Sequence, residues 1–228
     1  GYCNAGTVLE ADSGWNRPEQ NSFAPGDRVV SNGRHAEIVS VPYNLCAKIP
    51  DGVPYEEAAF TVLASIGLQG IRLLKPDLGE KIVVYGLGLV GLLSVQMLRA
   101  NGCEVMGIDL DENRCKLAES FDAQTCNPGG GADAVNMVMN WTNGHGADGV
   151  LITAAAKTDS ITHLSCQMTR KRGRIIVVGS VGMQLRRSEF YEKELIFQSS
   201  CSYGPGRYDE NYEQKGQDYP FGFVRWTE

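Results

Sequence analysis

The stretch KIVVYGLGLVGLLSVQMLRANGCEVMGID, residues 81–109, passes through a β-branched segment, a G-x-G-x-x-G turn, a helical period and a second apolar segment that ends in an acid. Few folds accept that order. A strand that turns abruptly into a helix and returns as a parallel strand forms a βαβ unit. Residues 82–85 read as the first strand and Gly86 as the turn, because a residue without Cβ reaches positive φ at little cost. Gly88 lets a pyrophosphate approach the backbone around Leu87, Leu89 and Val90, and Gly91 sits one turn into the helix, where a side chain would hold it off the strand.

The flanks strengthen this reading. Leu89, Leu92, Leu93, Gln96, Met97 and Ala100 keep a helical period, Asn101-Gly102 closes the helix, and residues 104–108 read as a buried parallel strand. The orphan N–H groups at the helix start suit a diphosphate. Asp109 falls about twenty residues beyond the glycines, where a carboxylate accepts hydrogen bonds from an adenosine ribose. This pattern predicts a dinucleotide site. The acid favours NAD over NADP because it repels a 2′-phosphate, while Arg114, past Leu110, can offset that repulsion.

A chain of 228 residues with 43% hydrophobic residues can bury a substantial core. Its net charge of −6 and pI near 5.2 argue against nucleic acid or an anionic membrane as partner. Two basic groups, Arg170-Lys171-Arg172 and Arg186-Arg187, are expected at solvated loop ends. There is no apolar run of membrane-spanning length and no signal-peptide pattern, so the expectation is a cytoplasmic protein. The seven cysteines are scattered without a C-x-x-C pair, which predicts reduced thiols, and the three histidines stand in unrelated segments without metal-ligand spacing.

Along the chain, residues 1–53 have all-β texture, with short strands expected at 7–11, 28–31 and 36–41. The texture changes at Ile49-Pro50-Asp51-Gly52. An acidic first turn then leads into an apolar helix ending near Leu74, which opens a second domain over 54–201. Beyond the βαβ unit, a helix capped by Asp111, a short strand at 124–126 and a helix from Asp133 to Trp141 come in turn. Strands at 149–153 and 174–178 enclose a helix at 161–168, and a last strand is expected at 195–200. Six strands with interposed helices predict an α/β fold with a doubly wound parallel sheet. Residues 202–228 form a loop-rich tail, expected to return toward the β domain. The start at Gly1 and the end at Glu228 read as those of a piece of a longer chain.

Read together, these segments resemble the medium-chain dehydrogenase/reductase superfamily, the zinc-type alcohol dehydrogenase-like proteins. Residues 1–8, GYCNAGTV, resemble the family's G-H-E-x-x-G-x-V phrase, residues 25–29, PGDRV, its P-G-D-R-V turn, and Ala36-Glu37 its A-E-Y entry. The resemblance implies a partial GroES-like β domain before the Rossmann domain, and hydride transfer between NAD(P)(H) and an alcohol or carbonyl. It also implies dimerisation through the sheet edge at 195–200. The tail, from Ser202-Tyr203-Gly204-Pro205 through Val224-Arg225-Trp226, is similar to bacterial bi-domain oxidoreductases, which implies a sugar derivative as substrate.

The departures from the family pattern bear on metal. Tyr2 stands where zinc-dependent members carry a histidine ligand, and a neutral phenol is a poor zinc ligand. Thr61 stands near the expected cysteine, and no four-cysteine lobe is present. The resemblance therefore implies a zinc-independent member. Without zinc an oxyanion still needs a proton donor, which makes Tyr2, Thr61 and Tyr203 the catalytic candidates, with Ser65 beside Thr61. Thr153 and Ala154 end one strand at the carboxyl edge, and Val178, Gly179, Ser180 and Val181 end another. Open α/β sheets bind ligands at that edge, so these residues join the cofactor set. Lys157 and Arg207 are weaker candidates for a phosphate, and His35 reads as structural. A dinucleotide-binding module without catalysis is the alternative; a methyltransferase fits the glycine spacing poorly.

Overall fold

The computed structural model describes residues 3–12, 22–215 and 217. They fall into two compact units, one made of residues up to Leu63 together with those from Pro205 onward, the other of Ala64–Gly204.

In the first unit, β1 (Asn4–Thr7), β2 (Arg28–Ser31) and β3 (Cys46–Lys48) form an antiparallel sheet in that order. Strand pairing stops at Thr7, so the expected strand at 7–11 is displaced toward the N-terminus, and 36–41 is irregular rather than extended. The second error has a physical source. Ile38 is strongly exposed, so the alternation that resembled a half-buried strand has no core to face. The partner of β2 comes instead from Cys46–Lys48, whose three residues are too few to show a period. Short helix α1 (Tyr55–Ala58) contributes Ala58 to a small apolar cluster with Val30 and Ile49.

The second unit contains most of α2 (Thr61–Leu74), and then β4 (Lys81–Tyr85), α3 (Leu89–Ala100), β5 (Glu104–Ile108), α4 (Glu112–Glu119) and β6 (Gln124–Cys126). It continues through α5 (Ala134–Trp141), β7 (Ala147–Ile152), α6 (Ser160–Met168), β8 (Thr169–Val177), α7 (Arg187–Tyr191) and β9 (Ile196–Ser199). All six strands are parallel, in the order β6-β5-β4-β7-β8-β9. This is the doubly wound sheet that the alternation predicts, with the chain reversing its direction of growth between β4 and β7. A final short helix, α8 (Glu210–Glu213), belongs to the first unit, where Asn44 Nδ2 donates to the Tyr212 carbonyl at 2.8 Å.

The strands divide their side chains by the two-residue period of extended chain. Ile82, Val84, Val105, Leu151 and Ile176 enter one apolar layer with Leu74, Val95 and Leu98. Val83, Met106, Val150, Ile152 and Ile175 enter the opposite layer with Val138, Cys166 and Met168. Each fully buried Ile, Leu or Val contributes roughly 1.5–3 kcal/mol, so burial on both faces is what makes these strands read as unbroken apolar runs. The close of α3 is as expected: Cys103 N donates to Leu98 O and Gly102 N to Arg99 O, both at 3.0 Å, the paired bonds of a Schellman motif.

The amino ends of the strands are tied by charge. Glu80 pairs with Arg174 and lies 3.8 Å from Arg170, while Asp148 accepts from Arg170 Nε at 2.6 Å and from the Lys81 backbone N–H at 2.8 Å. The basic run at 170–172 is therefore part of β8 and not a loop end; Arg170 enters the ion-pair seam, while Lys171 and Arg172 are solvated as their composition suggests. Glu80 and Arg174 are largely buried, so removing one charge strands the other. Glu80→Gln is expected to cost roughly 3 kcal/mol in chemical denaturation. Glu112→Gln, which removes an exposed pair with Lys116, is expected to cost less than about 0.5 kcal/mol.

Candidate functional site

The carboxyl ends of β4, β5, β7 and β8 converge on the glycine turn. Gly86 takes φ +102, the left-handed region the turn demands, and a Cβ on it would sit 2.5 Å from the Ala154 backbone nitrogen. Gly91 is tighter still: its Cβ would lie 1.9 Å from the Gly86 carbonyl oxygen and 2.8 Å from Thr153 Oγ1. Gly88, the α3 N-cap, has nothing within 4 Å of its Cβ position. Two glycines are thus required by packing, and the third faces open space. No side chain caps α3, and its first N–H groups have no acceptors within the helix, so the helix end is arranged to take an anion.

Thr153 acts as a staple. Its hydroxyl donates to the Gly86 carbonyl at 2.5 Å, while the N–H groups of Thr153 and Ala154 donate to the Tyr85 carbonyl at 2.9 and 3.0 Å. Gly179 repeats the pattern on the next strand, with a Cβ position 2.0 Å from the Ala154 carbonyl oxygen and an N–H donating to Ile152 O at 2.9 Å. Val178 packs over Gly70 of α2, Val181 packs against the opposite layer, and Ser180 bridges in parallel to Ala155.

Asp109 closes the corner after β5. One of its oxygens accepts the Leu87 N–H at 2.7 Å, and the other accepts the Asp111 N–H at 2.9 Å. Arg114 approaches Asp109 and Asp111, each at 3.6 Å, with half of its side chain exposed. Behind them, burial pushes the thiols of Cys115 and Cys126 and the phenol of Tyr85 above their ordinary values, so these groups stay neutral. The charge at this corner is therefore set by Asp109, Asp111 and Arg114. Leu110 and Leu89 project into solvent, while Leu87 is fully buried.

The structure thus gathers Gly86, Leu87, Gly88, Leu89, Val90, Gly91, Asp109, Leu110, Arg114, Thr153, Ala154 and 178–181 in one unit, around one sheet edge. Two of the catalytic candidates fall in different units. Tyr2 lies outside the described residues, as does the tail beyond residue 217. Thr61 belongs to the first unit and donates its hydroxyl to the Ala58 carbonyl at 2.7 Å; Tyr203 belongs to the second. Arg207 is engaged by both Glu213 oxygens, at 2.8 and 3.0 Å, and stacks on Tyr208, which leaves it poorly placed to serve a phosphate. Lys157 is exposed. The Thr153 staple escaped sequence reasoning, because its acceptor is 67 residues away.

Cys3 Sγ and His35 Nε2 approach at 3.7 Å, but among the described residues no three His, Cys, Asp or Glu side chains form a group able to hold a metal ion. The seven cysteines are all free. No helix among the described residues is long and apolar enough to cross a membrane.

Comparison with known proteins agrees with this geometry. The chain is 27% identical to D-guloside 3-dehydrogenase of Escherichia coli over 236 aligned positions, covering all of this chain and 61% of that protein. It spans about 60% of the length of the relatives it matches first. The alcohol dehydrogenase of Thermus sp. ATN1 superposes with a TM-score of 0.76 at 23% identity, over 87% of this chain and 67% of that one. A mycobacterial protein solved in complex with NADPH gives 0.74 at 25% identity, over 89% and 64%. A family model described as zinc-binding dehydrogenase matches residues 90–217, more than half of the chain. The chain belongs to the zinc-binding dehydrogenase family.

Proposed function

We propose that this chain is the nucleotide-binding part of a zinc-independent, NAD(P)(H)-dependent oxidoreductase that acts on an alcohol or carbonyl, with a sugar derivative as the substrate class. The observation that carries this reading is the glycine turn: Gly86 and Gly91 are excluded from bearing side chains by backbone contacts, while Gly88 opens onto space at an uncapped helix start. A diphosphate fits such a place, because backbone N–H groups and the helix dipole act on it together. The cofactor, when bound, carries the hydride; the protein supplies position and electrostatics. Asp109 takes the adenosine ribose, and the segment 178–181 with Ala154 takes the nicotinamide side.

NAD is the favoured cofactor because Asp109 puts a negative charge where a 2′-phosphate would lie, although Arg114 moderates that charge. The zinc-independent reading rests on the residues that stand at the family's ligand positions, Tyr2 in place of a histidine and Thr61 near the expected cysteine, since a neutral phenol or hydroxyl is a poor zinc ligand. Tyr203, Thr61 and Tyr2 remain the candidates for delivering a proton to an oxyanion. The sugar class is supported by relatives such as D-guloside 3-dehydrogenase. The reading also includes a homodimer through β9, which forms the exposed edge of the sheet, and a cytoplasmic protein. A binding module without turnover would show the same affinity and no reaction with a panel of ketoses and enones.

Three outcomes are expected. NADH binds saturably in a fluorescence titration, and absence of binding at millimolar cofactor would sink the reading. Asp109→Ala weakens NADH by about 10–100-fold, the value of one or two hydrogen bonds to a charged group, and narrows the preference over NADPH. Gly88→Ala leaves the urea midpoint almost unchanged yet lowers NADH affinity, whereas Gly91→Ala loses about 1–3 kcal/mol of stability through overpacking. Equal effects of the two glycine substitutions on stability would contradict the assignment of their roles.

A further inference from the structure

His163 lies on α6 between two carboxylates, with Nε2 at 2.9 Å from Asp159 Oδ2 and Nδ1 at 2.8 Å from Glu189 Oε2. Ionised carboxylates only accept hydrogen bonds, so both contacts are made only when both ring nitrogens carry hydrogen. The geometry is that of an imidazolium. A neutral ring would turn a lone pair toward one of the two oxygens and lose that link.

Glu189 sits in α7, in the middle of a strap running from Gly182 to Lys193 along α6. The near end of the strap is tied to the start of α6: Gly182 N donates to Thr158 O at 3.0 Å, and Thr162 Oγ1 donates to Gly182 O at 2.8 Å. Its far end is tied to the end of α6, where Lys193 Nζ donates to the carbonyls of Cys166, Gln167 and Thr169 at 2.9, 2.7 and 2.8 Å. Between these ties the polar link to α6 among the described residues is His163, while Phe190 packs edge-on against Phe197 of β9 and holds the strap to the sheet. The strap begins one residue after Val181.

The charged groups facing the ring are Glu189 from α7, Asp159 from its own helix and, in opposition, Arg186 at the α7 N-cap. The contacts with Glu189 and then Asp159 raise the histidine above its ordinary range. Glu189 and Lys193 also flank the Cys166 thiol, which burial pushes up to about 11, so it adds no charge at neutral pH. Hydrogen bonding to His163 lowers the Asp159 carboxyl, which therefore stays ionised wherever the ring titrates.

We propose that His163 is a positioning residue whose imidazolium pins the 182–193 strap to α6 and, through Gly182, fixes the turn at 178–181 beside the cofactor. The effect on the cofactor rests on the dinucleotide reading above; the pin itself does not. The sign follows from the raised pKa. The link is complete below the unfolded histidine value of about 6.5 and is lost as pH rises through the higher folded value. Phe190 keeps the strap attached after deprotonation, so the strap loosens without unfolding.

The test uses the whole chain, with hydrogen-exchange protection factors of 182–193 and affinities for NADH and ADP-ribose measured at about pH 6 and about pH 9. ADP-ribose lacks the nicotinamide and serves as the control. Strap protection is expected to fall about tenfold across this range, and NADH affinity by about 3–10-fold, while ADP-ribose binding stays level. His163→Gln should remove both dependences. Glu189→Gln should do the same and covers a failure of the first variant to fold, because its amide N–H can donate to Nδ1 of a neutral ring whose Nε2–H still reaches Asp159. Protection that is level in the wild type, or unchanged by both variants, overturns the pin. If the strap responds but the ratio of NADH to ADP-ribose affinity does not, the positioning role is overturned. If the strap responds and neither ligand binds, the pin stands and the dinucleotide reading fails.

Discussion

Backbone stacked directly on backbone at the carboxyl edge of the parallel sheet is the constraint from which the site follows. Gly91 brings α3 against the Gly86 carbonyl, Gly86 lies against Ala154, and Gly179 lies against the carbonyl of the same alanine. Any Cβ in this chain of contacts would separate two strand ends by more than a rotamer change can absorb. The Thr153 hydroxyl and the Tyr85 carbonyl then lock the arrangement with hydrogen bonds that cross from β4 to β7. Backbone held this closely leaves little room to rearrange, which is the condition under which a small number of polar groups can select an orientation.

Most of this was legible in the sequence, because the features concerned are local. The three glycines, the helix period of α3, the Asn101-Gly102 close and the acid after β5 lie within 29 residues, and each is demanded by a short-range rule. The doubly wound sheet was legible for a related reason: strands buried on both faces leave apolar runs that nothing else in a chain of this composition explains. The first unit was less legible. Its strands are three or four residues long, and the apolar residues of 36–41 alternate without a core behind them, so pattern and burial part company. Charge was misread at Arg170 for the opposite reason, since its partners Glu80 and Asp148 are distant in sequence and become neighbours only through strand order.

The same distinction separates cofactor from chemistry. The residues proposed to face the cofactor are fixed by the carboxyl edge of the sheet, where open α/β sheets bind ligands. Groups that move a proton have no such signature, because a threonine or tyrosine is equally at home in a turn or a core. Thr61 illustrates this: its hydroxyl donates to Ala58 O, as any threonine at a helix start would, and its place in a family pattern is what singles it out. His163 is the converse case. Its spacing from Asp159 is visible as i, i+4, but the second carboxylate arrives from 26 residues away, and only the pair together demands a charged ring.

On the proposed reading, Asp109 serves structure and recognition together. It already accepts the N–H groups of Leu87 and Asp111, and the first of these holds the glycine turn in register with β5. An ionised carboxylate offers about four lone-pair sites, so roughly two remain for ribose hydroxyls without releasing the turn. A 2′-phosphate would meet the same oxygens as a like charge in a largely buried position, where screening is weak. Arg114 sits at 3.6 Å from two acids, with half of its side chain in solvent, so it can turn outward at little cost. On the proposed reading, the discrimination between cofactors at this corner rests on the balance of one tethered acid and one half-exposed base.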